Sequence, residues 1–374
     1  MKVREITIDK IMESVQGAHK RDYITNIRDV YAEVDELGIR FGTHDIGSST
    51  HATKTAIQQI NQMVMPGLNQ FASQVIQRGL PELYTHAFGR IASTCDCACM
   101  MRTCARDGSD SIRAFLSPRY NRIDDDTVLC TLVDAMGASS EFTDKFKSIG
   151  GSITDTNTYL KFVTREPVFT VTADGRDRKF SAGIIFSNSE TGHGTCKVQV
   201  LMVDRYCDNG CIFSSTDVGT FRLVHSGADS SVIGRFGYID PPDTNNSKLK
   251  ALRTHINGIL DYACNAELFL AYESMLHESS RMLIDADDPE QMQKWVDVIG
   301  KYYDVTETER KAVVGRLIET GDRSLFGIQA ALTDAAKYAD SYDRKVQLET
   351  IGGKMLADSP KRWDTIRKLV ADCK

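Results

Sequence analysis

The spacing of the apolar residues changes once along this chain, and that change limits the folds that the chain can adopt. Between residues 152 and 226 the apolar and polar residues mostly alternate, which is the period of a β-strand. Asp-Gly signals at Asp107-Gly108 and Asp174-Gly175 connect neighbouring runs and predict antiparallel hairpins. Beyond residue 247 the apolar residues recur at helical spacing, as in Leu249, Leu252, Ile256, Leu260 and Ala263.

This change predicts an α+β protein in two parts. We expect residues 1–240 to form a core domain, a mixed helical and β-rich N-terminal two thirds with an antiparallel sheet. Residues 241–374 should form a helical C-terminal region. The loop sequence GYIDPPDTNNSK, rich in Pro, Asn and Asp, marks the boundary.

The first part begins with a mixture of strands and helices. A hairpin should turn at Glu36-Leu37-Gly38, although a helix over residues 25–37 is the alternative. Helices follow from Thr50, from Gly67 and from Pro81, which suits a first helical position. One of three consecutive acids should cap a further helix that runs to Met136: Asp124, Asp125 or Asp126.

Composition excludes several classes of protein. The 374 residues are 41% hydrophobic and 26% charged, and the net charge of −6 argues against a surface that is basic throughout. The chain has no apolar run of about 18 residues, and its beginning lacks the pattern of a signal peptide. We therefore expect a protein of the cytoplasm with no membrane contact.

The cysteines favour structural thiols over a metal site. The spacing Cys95, Cys97, Cys99 places three thiols on one face of a predicted strand, and Cys104 follows. Structural zinc sites instead show paired Cys-x-x-Cys motifs. The chain also lacks a G-x-x-x-x-G-K-[ST] loop, a strand–G-x-G-x-x-G–helix unit and H-E-x-x-H. We expect neither a metal nor a cofactor.

The stretch SNSETGHG is the strongest local candidate for a site. Its two glycines and its Asn and Ser favour a tight turn between strands, which is a structural explanation. The functional alternative is a site formed by Asn188, Glu190 and His193, in which Glu190 or His193 is the acid or base of a hydrolase with a partner such as Asp124.

Four blocks of the chain resemble a known family. They are RAFLSPRYNRIDDDTVL, GIIFSNSETGHGTCKVQV, RYCDNGC and LFGIQAALTDAAKYA…ETIGGKML, which span Arg113 to Leu356. Together they resemble the phage/plasmid-like protein family, domain of unknown function 932. The chain has SPRY where the family has SDRY, CDNG where CTNG is usual, and HSG in place of His-Val-Gly.

The resemblance implies an origin on mobile genetic elements, phages and plasmids, and hence a bacterial host cytoplasm. It favours a role shared across the family for Asn188 and Glu190, and it adds Asn209 of the CDNG block as a candidate functional residue. It implies no known reaction.

Basic and aromatic residues around the second predicted hairpin suggest DNA binding. Arginines could follow phosphates while an aromatic side chain stacks on bases; a solvated face with no ligand is the alternative. The predicted set comprises Arg102, Arg106, Arg113, Arg119, Tyr120, Arg122, Lys197, Arg205 and Arg222.

The leading functional hypothesis is a phage- or plasmid-encoded DNA-binding protein that is not an enzyme and that binds or anneals single strands in recombination or replication. The alternatives are the hydrolase and a protein inhibitor or decoy of a host enzyme. A long helix over residues 248–284 should also make the protein a homo-oligomer.

Overall fold

The computed structural model confirms the α+β class. It describes residues 6–106, 109–120, 122–173, 175–213, 221–223, 237–239, 253–254, 256–258, 260, 267–358 and 360–372. Residues 19–116, with the late strand at 237–239, supply the strands of a first sheet, and residues 146–223 supply those of a second. The C-terminal helices follow from Glu267.

The strands of the described residues divide between the two sheets. The first sheet contains β1 (His19–Asn26), β2 (Val30–Asp35), β3 (Gly38–Thr43), β4 (Ser49–Ala52), β5 (Ala98–Arg106), β6 (Ser109–Leu116) and β14 (Gly237–Ile239). The second contains β7 (Phe146–Ile153), β8 (Thr158–Thr164), β9 (Phe169–Ala173), β10 (Arg176–Asn188), β11 (Cys196–Asp204), β12 (Asn209–Phe213) and β13 (Phe221–Leu223).

The described helices are α1 (Ile8–Gln16), α2 (Lys54–Val64), α3 (Leu68–Gln77), α4 (Pro81–Ala92), α5 (Asp125–Ala138), α6 (Ser140–Lys145), α7 (Glu267–Arg281), α8 (Pro289–Tyr302), α9 (Glu307–Thr320), α10 (Leu325–Ala335), α11 (Tyr342–Ala357) and α12 (Pro360–Asp372). Short 3-10 helices cover Ile27–Asp29 and Ala336–Tyr338.

The first sheet has the strand order β14-β1-β5-β6-β4-β3-β2, antiparallel except for the parallel pair β4–β6. One face is covered by α2, α3 and α4, whose Ile60, Leu68 and Phe88 are buried with Phe41 and Phe115 of the sheet. The other face carries a short apolar patch of Ile24, Met100, Ala114 and Leu116 beside charged residues. That partly charged face meets the second sheet.

A β-bulge in the hairpin β5–β6 re-aims one arginine. Arg102 pairs with Ala114 and Thr103 pairs with Ile112, so Arg113 is an extra residue in the ladder. Ile112 lies with the core under α2–α4, whereas Ala114 lies in the patch on the opposite face. The bulge places Arg113 on the charged face, because a bulge interrupts the alternation of side chains.

The second sheet has the order β12-β11-β10-β8-β7, with β9 beside β10 and β13 beside β11. Even-numbered residues of β10 face one side: Phe180 and Ala182 contact the core of α7–α12, and Ile184 and Phe186 contact that of α1 and α5. Ile185 points to the opposite face, where Tyr342 and Val346 of α11 cover part of the sheet.

The C-terminal helices share their core with this sheet. Phe326, Met355 and Trp363 belong to the same buried cluster as Val200 and Phe213. At Gly353 a Cβ atom would stand 2.0 Å from the carbonyl oxygen of Ile212, so α11 lies directly against β12. The predicted boundary at residue 240 lies outside the described residues. Of the predicted 248–284 helix, the described residues between 253 and 260 are helical and α7 covers Glu267–Arg281, so the helix ends three residues before the predicted end.

Several local predictions are confirmed. The hairpin β2–β3 replaces the alternative helix, and α4 begins at Pro81. Asp124 is the N-cap residue of α5, although its side chain makes no capping hydrogen bond. The predicted cap at Thr50 is wrong, because Thr50 lies in β4 and Thr53 caps α2.

The strand predicted for the cysteines is wrong in part. β5 begins at Ala98, so Cys95 and Cys97 precede it, whereas Cys99 and Cys104 are buried within it.

Among the described residues, no helix combines the length and the apolar character that crossing a bilayer requires.

Candidate functional site

The turn that follows β10, residues 188–194, lies where the two sheets meet. Asn188, Ser189, Glu190 and Thr191 are all buried, at 0–3% exposure. The Ser189 hydroxyl donates to the carbonyl oxygen of Thr156 at 2.6 Å and accepts from the backbone N–H of His193 at 3.1 Å. Gly192 has a φ of 76°, which favours glycine. The turn therefore satisfies much of its own polarity, as the structural explanation predicts.

Glu190 is a buried carboxylate held by two cations and one amide. Its Oε1 accepts from the Lys20 ammonium and, at 2.7 Å, from the backbone N–H of Asp125. Its Oε2 accepts from Arg113 at 2.5 Å. Lys20 lies on β1 and Arg113 on β6, so the carboxylate of the second sheet joins two strands of the first.

A second arginine extends this network. Arg102 is 4% exposed. It donates to Asp22 at 3.0 Å, to Asp124 at 2.5 Å and to the carbonyl oxygen of Glu190 at 2.9 Å. Arg122 donates to the other oxygen of Asp22 at 3.0 Å. The four cations and four acids balance within the protein, so this cluster contains no surplus of positive charge for an external anion. We call these charged residues, the 188–194 turn and the side chains that contact them the ionic junction; its charged residues are Lys20, Asp22, Arg102, Arg113, Arg122, Asp124, Asp125 and Glu190.

Burial and charge separate the pKa values of the two innermost acids. Burial alone would raise the pKa of Glu190, but the charges of Lys20, Arg113 and Arg102 hold it below its ordinary 4.5. Burial, and then the charge of Glu190, raise the pKa of Asp125 to about 6. Asp125 accepts from Asn188 at 2.7 Å and from Thr158 at 2.7 Å.

This geometry does not favour acid–base catalysis. Glu190 is ionised and already accepts three hydrogen bonds, and His193 is exposed, with its Nδ1 3.3 Å from the Thr191 hydroxyl. The cavity beside Glu190 measures about 10 Å³, room for about one water molecule. Its lining consists of Lys20, Arg102, Thr103, Arg113, Glu190 and Thr191. The predicted site of Glu190, His193 and Asp124 is therefore not assembled as a cleft.

The predicted DNA-binding residues do not form one surface. Arg102 is buried, and the side chains of Arg113 and Arg122 are 11% and 13% exposed, each bound to a carboxylate of this protein. In this conformation they cannot follow a phosphate track. The hydroxyl of Tyr120 donates to the carbonyl oxygen of Ser189 at 2.8 Å, so this side chain also belongs to the junction. Arg119 is exposed beside it.

The remaining members of that set are spread out. Lys197 lies near the start of β11, opposite Arg222 of β13 in register, and Arg205 follows the end of β11. Eight residues of strand separate Lys197 from Arg205, about 27 Å. The side chains of Arg106 and Arg222 lie outside the described part of the chain.

Sequence reasoning missed three residues of the junction: Lys20, Asp22 and Gln59. The Gln59 amide donates to the carbonyl oxygen of Thr191 at 2.7 Å and accepts from the N–H of Phe115 at 3.0 Å. The only signal for Lys20 and Asp22 is their alternation in HKRDYITN, where charged residues recur on one strand face.

Asn209 of the CDNG block is buried against the C-terminal helices. Its amide donates to the carbonyl oxygen of Ala330 at 3.0 Å. Nearby, Lys161 of β8 and Glu349 of α11 form a buried pair at 2.8 Å. Both contacts tie the second sheet to the helices.

A different part of the second sheet carries exposed cations. Lys147, Arg165 and Lys179 are exposed and Arg205 is partly exposed. Lys147 lies in β7 and Lys179 in β10, whereas Arg165 directly follows β8 and Arg205 directly follows β11. The register and the alternation of side chains place all four on the face that contains Val163 and Ile185. We call these four residues the basic strip.

Contacts within the sheet hold the basic strip together. The Arg205 guanidinium donates to the Ser181 hydroxyl at 2.5 Å and to the carbonyl oxygens of Thr164 and Arg165. Its backbone N–H donates to the carbonyl oxygen of Lys179 at 2.9 Å. The Arg165 guanidinium donates to the carbonyl oxygen of Thr143 at 3.2 Å, next to Asp144. Besides Asp144, the neighbouring exposed acids are Glu166 and Asp177, whose carboxylate accepts from Thr172 at 2.7 Å, so four cations stand against three acids. The strip therefore keeps an excess of positive charge.

Comparison with known proteins identifies no relative. No protein-family model, curated protein or solved structure matches the chain. Within the described ranges, no group of three or more His, Cys, Asp and Glu residues is arranged to hold a metal ion. The family resemblance stays a prediction, and function has to be argued from geometry.

Proposed function

We propose that this protein binds DNA through the basic strip, by contacts with the phosphate backbone. The observation that carries the proposal is that four cations from four neighbouring strands share one end of one sheet face. The proposal keeps the DNA-binding hypothesis and moves its surface. Arg205 is the one residue shared by the predicted DNA-binding residues and the basic strip.

The contrast between the two ends of this face supports that choice. At one end, α11 covers the sheet, and Lys161 is buried with Glu349 as its counter-ion. At the other end, Lys147, Arg165 and Lys179 are exposed. Lysine and arginine side chains on a rigid strand need little reorganisation to contact phosphates, and each contact releases counter-ions from the nucleic acid.

The overall charge of −6 is compatible with such a site, because affinity depends on where the charges lie. The proposal does not include a reaction. Recombination or replication on a phage or plasmid remains the setting that the family resemblance suggests.

The test is a binding titration over a series of salt concentrations. Neutralising three exposed members of the strip, in K147Q/R165Q/K179Q, should weaken binding and flatten the slope of log affinity against log salt. With a slope of about −0.7 per phosphate contact for single strands, three lost contacts should change it by about 2. Arg205 is left in place, because its guanidinium bonds three groups of the sheet.

A matched control carries the same change of charge elsewhere. Lys54, Arg78 and Arg90 are exposed on or next to α2, α3 and α4. K54Q/R78Q/R90Q should keep the slope and affinity of the parent protein. Equal effects of the two triple variants would show that net charge matters and the strip does not; no binding by the parent at low salt would refute the proposed function.

A further inference from the structure

A small cavity lies between the second sheet and the C-terminal helices. The sheet contributes Phe180 of β10 and Met202 of β11 to its lining, and the helices contribute Leu276 of α7 and Phe326 of α10. These four residues belong to one buried apolar cluster, so the cavity lies within that core. It measures about 10 Å³, room for about one water molecule.

Three buried polar side chains complete the lining: those of Asn209, Gln329 and Thr333. The Asn209 Nδ2 donates to the carbonyl oxygen of Ala330 at 3.0 Å, which fixes the orientation of the amide, because its oxygen cannot donate. Asn209 is only 6% exposed, and among the described residues no group donates to its Oδ1. The cavity therefore has a buried acceptor that the protein leaves unsatisfied.

Gln329 offers the complementary group. Its Nε2 carries two hydrogens, and one of them makes a long bond to the Thr333 hydroxyl at 3.5 Å. The Thr333 hydroxyl directs its own hydrogen to the carbonyl oxygens of Gln329 and Ala330, each at 3.1 Å. The cavity thus combines an acceptor that needs a hydrogen with a donor that has one to spare. Water meets both needs at once, because it donates and accepts.

From these observations we infer that the cavity binds one water molecule, which bridges Asn209 of β12 to Gln329 of α10. The water donates to Asn209 Oδ1 and accepts from Gln329 Nε2. Its second hydrogen can reach Thr333 or Asp204, which also lines the cavity, and this gives the three or so bonds that buried waters make. Binding is favourable because a buried acceptor without a donor costs stability. The bridge joins the sheet to the helices and does not depend on the proposed function.

The first experiment is a crystal structure of the protein at a resolution that shows ordered waters. A solvent peak should stand about 2.7–3.2 Å from both Asn209 Oδ1 and Gln329 Nε2. An empty cavity, or a peak that does not contact Asn209, would overturn the inference. A protein donor found bonded to Asn209 Oδ1 would overturn it as well.

The second experiment measures unfolding by urea in Q329M and in the control Q347M. Methionine keeps roughly the volume of glutamine but cannot donate to the water. With the bridge broken, Asn209 Oδ1 is left unsatisfied, and the equilibrium constant for unfolding should rise about 5-fold to about 150-fold.

The control makes the same change at an exposed position of α11. Q347M should shift the unfolding constant by no more than about 2-fold. In a dry cavity Q329M would lose only the long bond to Thr333, so equal unfolding constants for the two variants would overturn the bridge.

Discussion

Replacing Glu190 by glutamine should remove the charge that joins the two sheets. The glutamine amide would keep one acceptor oxygen. Its NH₂ group would face another donor, because Lys20, Arg113 and the Asp125 N–H all donate to the carboxylate of Glu190. Lys20 and Arg113 would then be left with side chains only 13% and 11% exposed and without their central counter-ion.

Removing one partner of a buried ion pair costs about 3–5 kcal/mol, because the remaining charge stays buried without compensation. We expect a loss in this range for E190Q. It is a large fraction of the roughly 5–15 kcal/mol that stabilises a typical protein. The free energy of unfolding can be measured by urea titration, where an unchanged m-value shows that the change lies in stability.

The matched control is E141Q. Glu141 accepts from Lys145 at 2.6 Å, but both side chains are about half exposed, so this pair should contribute less than about 1 kcal/mol. In K20M/E190Q both members of one pair are absent, and a double-mutant cycle gives their coupling. If E190Q loses no more stability than E141Q, the ionic junction does not hold the sheets together.

Two further predictions concern buried charge. Burial raises the pKa of Asp125 from 3.8 to about 6, so the folded state binds this proton more tightly than the unfolded state and stability should rise as the pH falls from 7 toward 4.5. Between pH 4.5 and 3.8 the loss from Glu190, whose pKa is lowered, should cancel the gain from Asp125, and below pH 3.8 stability should decline. In D125N the rise should be absent from urea titrations at each pH; a rise of the parent's size in D125N would exclude Asp125 as its source. K161M should cost about 3–5 kcal/mol because Glu349 remains buried, whereas K161M/E349L should recover much of that loss in the same assay. An additive effect of the two changes would contradict the pairing.

Local signals in the sequence predicted much of the fold. The turn at residues 36–38, Pro81 at the start of α4 and the acids before α5 act on neighbouring residues, so their effects can be read from a short stretch. The strand predicted around Cys95 and Cys97 is misplaced, because alternation alone does not show where a helix ends and a strand begins.

The ionic junction could not be predicted in this way. Lys20 and Glu190 are 170 residues apart, and Arg102 and Asp22 are 80 residues apart. Periodicity indicates which face of a strand a residue occupies but not which distant residue meets it. The sequence therefore predicts that the arginines around AFLSPRY face solvent, whereas carboxylates from β1 and from the 188–194 turn neutralise Arg113 and Arg122 inside the protein.

The bulge in β6 also shows how this hairpin tolerates a change of length. Without Arg113, Ile112 and Ala114 would be neighbours, and their partners Thr103 and Arg102 are already consecutive, so the ladder would continue without a gap. Both apolar faces would keep their residues. The hairpin thus carries one amino acid beyond what its own pairing requires, and a single-codon deletion there would spare the sheet while removing one of the two side-chain cations that bind Glu190. In this hairpin the pairing of β6 with β5 does not depend on the residue that supplies the charge, Arg113.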